Sequence, residues 1–275
     1  MTATRADAAP SPRLLDLARC PACGSGLAGS RACGRCGKAV ELRSGILHAI
    51  GPLEGRNKVA AAYYDGPAFD RFRPFEKGFL ALQGPGQARA RRQVLAHLPN
   101  EPNLRVLEVG IGDGDNRPLL AATTELFGVD VARNRLTNAL AQHPDLDGRL
   151  AWAEAEALPF EDRSFDAVFT VGGINYFRDP EAALREMARV ARPGAALVAA
   201  DERPDLHHSG VGHMLGLESI DAFWLRLIGL DRAFVDMVMH TPPLVEPAAR
   251  RAWPGCRRLP IWNRLGYCLV HQRGA

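Results

Sequence analysis

This 275-residue chain has no run of 18 or more apolar residues that could cross a bilayer, although 47% of its residues are hydrophobic. Met1 to Pro12 also lacks the apolar segment of a secretory signal, so the expected location is cytoplasmic. Cysteine is scarce: six residues in a chain this long cannot form a disulfide scaffold. Charge of one sign is nearly balanced out, leaving a net +3 that comes from the start of the chain. Residues 1–43 carry seven Lys/Arg against three Asp/Glu, and the remainder carries 27 against 28. Charge alone therefore makes a weak case for nucleic acid. No internal repeat is present, and low complexity is confined to the Ala/Pro-rich opening.

What remains is enough for one large α/β domain with a small appendage. Residues 1–13 read as a disordered tail and 14–50 as a compact Cys/Gly-rich unit. Residues 51–84 read as a linker with lid helices, including one from about Arg56 to Tyr64. From 85 to 275 strands and helices alternate. Helices are expected at Gly86–His97, after Gly114, at Ala132–Gln142 and at Glu181–Ala191, the last ended by Arg192-Pro193-Gly194. Strands are expected at Arg105–Val109, Leu126–Val129, Leu150–Ala153, Asp166–Val171 and Ala195–Ala200, with a final hairpin at Arg258–Ile261 and Leu265–His271. That pattern predicts a doubly wound, mostly parallel seven-stranded sheet, with a helical cap at about 203–255 over the ligand crevice.

Arg105 to Leu119 is the most informative stretch. An apolar strand runs through Glu108 into Gly110, Gly112 and Gly114, and glycines at this spacing let backbone turn sharply and approach a ligand. Asp130 stands 22 residues after Glu108 at the end of the second strand, where a carboxylate can accept from ribose hydroxyls. Glu154 ends the third strand, within reach of an exocyclic amine. The acids Asp113 and Asp115 in the turn would repel pyrophosphate, so a ligand bearing positive charge fits better than a dinucleotide. Plainer roles stay open: a buried acid for Glu108, a helix cap for Asp130, a solvated side chain for Glu154.

Glu108 to Gly114, Gly128-Val-Asp130, Glu154-Ala-Glu-Ala-Leu-Pro-Phe160 and Ser164-Phe-Asp166 together resemble the class I S-adenosylmethionine-dependent methyltransferases, in particular type 11-like domains. The block Ala183 to Gly194 is similar to the helix and turn before the fifth strand in that family. The resemblance implies a Rossmann-like methyltransferase fold with S-adenosylmethionine as cofactor. It implies that Gly110, Gly112 and Gly114 pass close to the cofactor, that Asp130 with Val131 beside it holds the ribose, and that Glu154 and Ala155 flank the adenine. Gly172 to Tyr176 would lie next to the transferred methyl, with Asn175 and Tyr176 orienting an acceptor, although Asn175 equally suits a tight bend. Tyr63 or Tyr64 would sit near the sulfonium, where an aromatic face suits a cation; ordinary core packing of that helix is the alternative. Prolines of the Asn-Pro-Pro-Tyr type are absent at Asn175-Tyr176, which argues against base N-methylation.

Cys20-Pro-Ala-Cys23 and Cys33-Gly-Arg-Cys36 can place four thiolates about one structural Zn²⁺. Such a complex would carry roughly −2 and offset part of the local positive charge. The unit resembles zinc ribbons that precede some methyltransferase domains, those of ribosomal RNA guanine methyltransferases among them. His207, His208 and His213 suggest a surface loop, and Trp224, Phe234, Met237 and Met239 either line an apolar pocket or pack the cap. The resulting expectation is methyl transfer to an oxygen, nitrogen or carbon of a small organic molecule. Ribosomal RNA base methylation, or a catalytically silent module whose ribbon recruits a partner, are the alternatives.

Overall fold

The computed structural model describes residues 14–83, 86–204, 215, 217–227, 230–240 and 244–274. The expected tail at 1–13 and the histidines His207, His208 and His213 lie outside these residues, as does the side chain of Trp224.

The N-terminal unit contributes a one-turn helix α1 (Leu14–Leu17) and a hairpin of β1 (Glu41–Arg43) and β2 (Ile46–His48). Three helices follow: α2 (Gly55–Asp65), α3 (Pro67–Gln83) and α4 (Gln87–Leu95). Next come β3 (Arg105–Val109), β4 (Glu125–Asp130), α5 (Arg133–Gln142), β5 (Leu150–Trp152) and β6 (Phe165–Val171). After α6 (Pro180–Val190) and β7 (Ala191–Glu202), the cap contributes α7 (Glu218–Leu227), α8 (Arg232–His240) and α9 (Val245–Ala252). The chain closes with β8 (Arg257–Ile261) and β9 (Gly266–Gln272).

The strands form one sheet in the order β1-β2-β5-β4-β3-β6-β7-β9-β8. Pairing is parallel from β2 to β7 and antiparallel at both margins. The central strands read as apolar runs because both faces are covered: Val106, Leu107, Leu126, Phe127, Val168 and Phe169 are all buried. The strand order reverses beside β3, which opens a crevice beyond the carboxyl ends of β3, β4 and β6.

The sheet therefore has nine strands rather than seven. The two additional strands come from the N-terminal unit, whose β2 pairs in parallel with β5 along Ile46–His48 and Leu150–Trp152. The unit is also fastened by Leu14 N–H to Gly148 O at 2.9 Å and Glu161 N–H to Leu17 O at 2.8 Å. Leu27, Cys20 and Cys33 share one apolar core with Phe127 and Phe160. A sheet edge that would otherwise expose unpaired backbone groups is thereby covered.

Two expected boundaries also move. No α-helix follows Gly114; the chain makes only a 3₁₀ turn at Arg117–Leu119, with Pro118 in its first turn. Arg192-Pro193-Gly194 does not end a helix reaching Ala191, because α6 stops at Val190 and these residues open β7 through an irregular register between Phe165 and Ala167. The start of α6 is well specified. Asp179 accepts from the N–H groups of Glu181 and Ala182 at 3.0 Å, and Pro180 occupies the first turn. Its Ala183, Leu184, Met187 and Val190 form the buried stripe.

Candidate active site

A cavity of about 670 Å³ occupies the crevice, well within the range of small-molecule sites. One wall is backbone. Gly110 and Gly112 hold φ of +75° and +55°, which L side chains rarely adopt, so the turn brings bare main chain to the cavity. Gly114 also has a positive φ of 77°, but it lies behind the wall, where a Cβ would come within 2.8 Å of His143.

The acids around this turn divide into two groups. Asp113 and Asp115, expected to attract a positive ligand, are instead paired to arginines. Arg73 of α3 contacts both, Arg91 of α4 reaches Asp115 at 3.2 Å, and Arg135 of α5 reaches Asp113 at 3.3 Å. Glu108 and Asp130 are the acids of this group that line the cavity without an arginine partner. Glu108 accepts from Asn116 Nδ2 at 2.6 Å through Oε1, whereas its buried Oε2 has no hydrogen-bond partner. Burial pushes the Glu108 carboxyl up to about 8, and the charges of Asp115 and Asp130 add to the effect.

Asp130 is fixed by Gly112 N–H to Oδ2 and Ala132 N–H to Oδ1, both at 2.8 Å. Burial raises it to about 6 against the pull of those two bonds. The capping role and the ligand role are thus compatible, because each oxygen retains a second lone pair toward the cavity. Val131, Ala155 and Gly172 also line the wall. Glu154 does not; its Oε1 accepts from Asn57 Nδ2 at 2.8 Å. Asn57, 2% exposed on α2, also donates to Glu156 and accepts Arg178 N–H, so one amide ties the lid helix to the strand ends. Asp65, at the other end of α2, accepts the N–H groups of Arg133 and Asn134 and caps α5.

The opposite half of the cavity is built from side chains. Tyr64, Phe69, Phe72, Tyr176, Phe234 and Trp262 line it, with Leu225, Leu230 and Val238 from the cap. Tyr63, expected near the cofactor, is not on the wall; it is 2% exposed and stacks on Phe234 with ring centroids 4.0 Å apart. Met237 and Met239 are likewise packed inside the cap. Asn175 sits behind the wall. Its Nδ2 donates to Glu202 O at 2.8 Å, its Oδ1 accepts from Tyr267 OH at 2.9 Å, and its N–H donates to Asp201. Tyr176 does reach the cavity, with its OH donating to Glu202 Oε1 at 3.0 Å.

Several lining residues escaped the sequence reading. Asp201 and Glu202 end β7 and were within reach of the rule that singled out Asp130 and Glu154, namely acids at strand ends. Arg73, Arg91 and Arg135 gave no such signal, because their helices carry several arginines and only folding selects which ones meet Asp113 and Asp115.

Four sulfurs converge in the N-terminal unit. The Cys20 and Cys36 Sγ atoms are 3.7 Å apart, those of Cys23 and Cys33 3.5 Å, and all four lie within 4.8 Å of one another. A tetrahedral ion with metal–sulfur bonds of about 2.3 Å requires S···S edges of about 3.8 Å, so the donor set fits zinc. The two knuckles repeat each other: Gly24 N–H bonds Cys20 O and Gly37 N–H bonds Cys33 O, both at 2.8 Å.

Over 118 residues the chain is 37% identical to a demethylmenaquinone methyltransferase of Renibacterium salmoninarum, covering 42% of this chain and 49% of that protein. It is 32% identical over 125 residues to the O-methyltransferase resE of Aspergillus sclerotiorum, covering 43% and 47%. The match thus spans about half the length of these curated relatives. Among solved structures, a chain from the complex between the Haloferax volcanii Trm112 methyltransferase activator and a methyltransferase aligns with a TM-score of 0.52 at 18% identity. That alignment covers 78% of this chain and 97% of the other and shows a shared fold. The family described as methyltransferase domain matches residues 107–199, which hold the glycine turn, Asp130 and all of β4 to β6, and the sheet is Rossmann-like α/β.

Proposed function

We propose that this chain binds S-adenosylmethionine in the crevice and transfers its methyl group to a nucleophile of a small organic molecule. The observation that carries the reading is the buried, unpartnered Glu108 Oε2 beside the bare turn at Gly110 and Gly112, with Asp130 presenting fixed carboxylate oxygens next to it. A nucleoside with ribose hydroxyls and an ammonium or sulfonium fits these groups, whereas a pyrophosphate meets acids and finds the nearby arginines already paired. When bound, the cofactor supplies a methyl group on a cationic sulfur that leaves as a neutral thioether. The chain's own residues hold it through Glu108, Gly110, Gly112, Asp130, Val131 and Ala155 and exclude water with the aromatic half of the cavity. Alignment and dehydration then supply much of the rate. Titration calorimetry with S-adenosylhomocysteine should give a dissociation constant in the micromolar range, on the order of −8 kcal/mol. Equal or tighter binding of NADH, or no binding of S-adenosylhomocysteine or S-adenosylmethionine, would sink the reading.

The four cysteines hold one structural zinc in this reading and staple the unit that covers β5. Metal analysis should find about one zinc per chain, and stripping it should lower the melting temperature. Metal-free protein with an unchanged melt would remove zinc from the account.

A further inference from the structure

The N-terminal unit grips one wall of the crevice from behind. That wall is carried by Asp130 and Val131 at the end of β4 and by Ala153 and Ala155 just after β5, all of which line the cavity. The unit holds residues 150–161 at both ends. At one end β2 pairs with β5, and Ala49 N–H donates to Trp152 O at 3.0 Å. At the other, Arg19 N–H, next to Cys20, donates to Pro159 O at 3.1 Å, and Glu161 N–H donates to Leu17 O at 2.8 Å. The second knuckle joins the same hairpin, since Cys33 N–H bonds Lys38 O at 2.9 Å and Val40 N–H, just before β1, bonds Arg31 O at 2.8 Å. One core holds Cys20 and Cys33 together with Leu47, Ala151, Ala153 and Ala155. Drawing the four sulfurs together therefore fixes both ends of the segment that carries the wall. Trp152 carries that constraint to the cavity. His48, Trp152 and Asp130 are in-register partners across β2, β5 and β4, and the His48 and Trp152 rings meet edge to face with centroids 5.2 Å apart. Trp152 Nε1 then donates to Val131 O at 2.8 Å, with the Arg133 guanidinium over its ring at 5.9 Å. The peptide group that offers this carbonyl is the one whose other side, Ala132 N–H, donates to Asp130 Oδ1 at 2.8 Å. A peptide group is planar, so an indole fixed on its oxygen also fixes the direction of its N–H.

We propose that Trp152 is a positioning residue for the cofactor, and that through it the cysteine-clustered unit sets the affinity of the crevice. The inference rests on the methyl-transfer reading above and on the four cysteines holding zinc. Trp152 is not among the residues that line the cavity, so it acts through the Val131–Ala132 peptide and the Asp130 carboxylate which that peptide aims. With the knuckles closed, β2 holds β5, the indole holds the peptide, and Asp130 presents its oxygens in the direction a ribose requires. With the knuckles open, the hairpin loses its anchor and Trp152 loses the in-register partner on its outer side. Linkage makes the effect reciprocal: whatever factor the closed unit adds to cofactor affinity, bound cofactor must add to metal affinity.

The test uses the full chain as wild type and as Trp152→Phe, which keeps an aromatic ring against His48 and removes the Nε1 donor. Zinc affinity is measured by competition with a chromogenic chelator, with and without saturating S-adenosylhomocysteine. In wild type the ligand should tighten zinc binding by at least about fivefold. Trp152→Phe should still bind about one zinc per chain. It should bind S-adenosylhomocysteine about fivefold more weakly and keep less than about half of the wild-type coupling factor, an effect that a merely structural tryptophan would not have. Hydrogen exchange on wild type needs no variant: removing zinc should speed exchange in residues 128–136 by about tenfold and in α6 by less than about twofold. Three outcomes overturn the inference: a smaller coupling in wild type, a variant that keeps half of it or more, or exchange that rises in α6 as much as in 128–136. If Trp152→Phe does not fold, the two wild-type measurements decide. A chain that binds S-adenosylhomocysteine but no zinc also overturns it, and in all these cases the methyl-transfer reading survives. If wild type binds zinc but not S-adenosylhomocysteine, both fall.

Discussion

The two halves of the crevice are built in different ways. The half beside Gly110 and Asp130 is main chain and short-range: a strand, its turn and the next strand end hold it, and its polar bonds run mostly to backbone N–H groups. The half beside Glu202 is assembled from side chains of α2, α3, the 3₁₀ turn Ile174–Tyr176, α7, α8 and the β8–β9 connection, which lie far apart in sequence. Each half nevertheless hides one carboxyl group raised to about 8, Glu108 in the first and Asp201 in the second.

That shared feature gives the largest expected effect. Both groups hold in the folded protein a proton that the unfolded chain releases near pH 4, so their contribution to stability is complete below that pH and is lost as pH rises toward 8. Each can contribute a slope of up to about 1.4 kcal/mol per pH unit within the window. Guanidinium unfolding at pH 5, 6.5 and 8 should therefore show stability falling with pH. Glu108→Gln and Asp201→Asn should each flatten the fall, the second at a cost of about 1 kcal/mol at all pH for a lost backbone bond. A stability that rises from pH 5 to 8 would contradict both assignments.

The next effect separates the halves. Gly110→Val forces a branched side chain into left-handed backbone at about 1–2 kcal/mol and fills the cavity, so S-adenosylhomocysteine should bind at least 100-fold more weakly. Phe234→Leu, which removes the stack on Tyr63, should leave that affinity within about twofold while costing about 1–3 kcal/mol of stability. Equal losses of affinity in the two variants would erase the division. Smaller again, Asp130→Asn puts a donor where one of two N–H groups already points, and calorimetry should find binding weaker by about tenfold.

Sequence legibility follows the same division. Strand cores, the glycine turn and Asp130 were readable because their signals are local: an apolar run, spaced glycines, an acid at a strand end. The N-terminal hairpin was not, since strands as short as Glu41–Arg43 and Ile46–His48 become sheet only by pairing with a distant edge. Tyr63 and Tyr64 illustrate the limit within one helix. Adjacent residues point to different sides, and nothing local says that Phe234 takes Tyr63 while the cavity takes Tyr64. Asn175 was read as an orienting amide for the acceptor; in the fold it orients Glu202 instead, because its partners come from β7 and β9, outside any sequence window.

The smallest effect concerns the arginines that close over the turn. Asp113 is contacted by Arg73 and Arg135, and Asp115 by Arg73 and Arg91, so each acid has two partners and Arg73 is the one they share. Removing a sole partner from an acid whose side chain is 2% exposed would strand a buried charge at about 3–5 kcal/mol. Here a second guanidinium stays with each acid, so Arg73→Gln should cost only about 1 kcal/mol of stability. Arg73 lies on α3, whereas Asp113 and Asp115 lie in the turn that touches the cavity, so its ion pairs tie this helix to the glycine turn, alongside the pair of Asp70 with Arg135 of α5. Loss of that tie should raise the dissociation rate of S-adenosylhomocysteine a few-fold in stopped-flow displacement, with the association rate little changed. A stability loss above 3 kcal/mol would mean that Arg135 and Arg91 do not cover the acids, and an unchanged dissociation rate would mean that α3 does not latch the crevice.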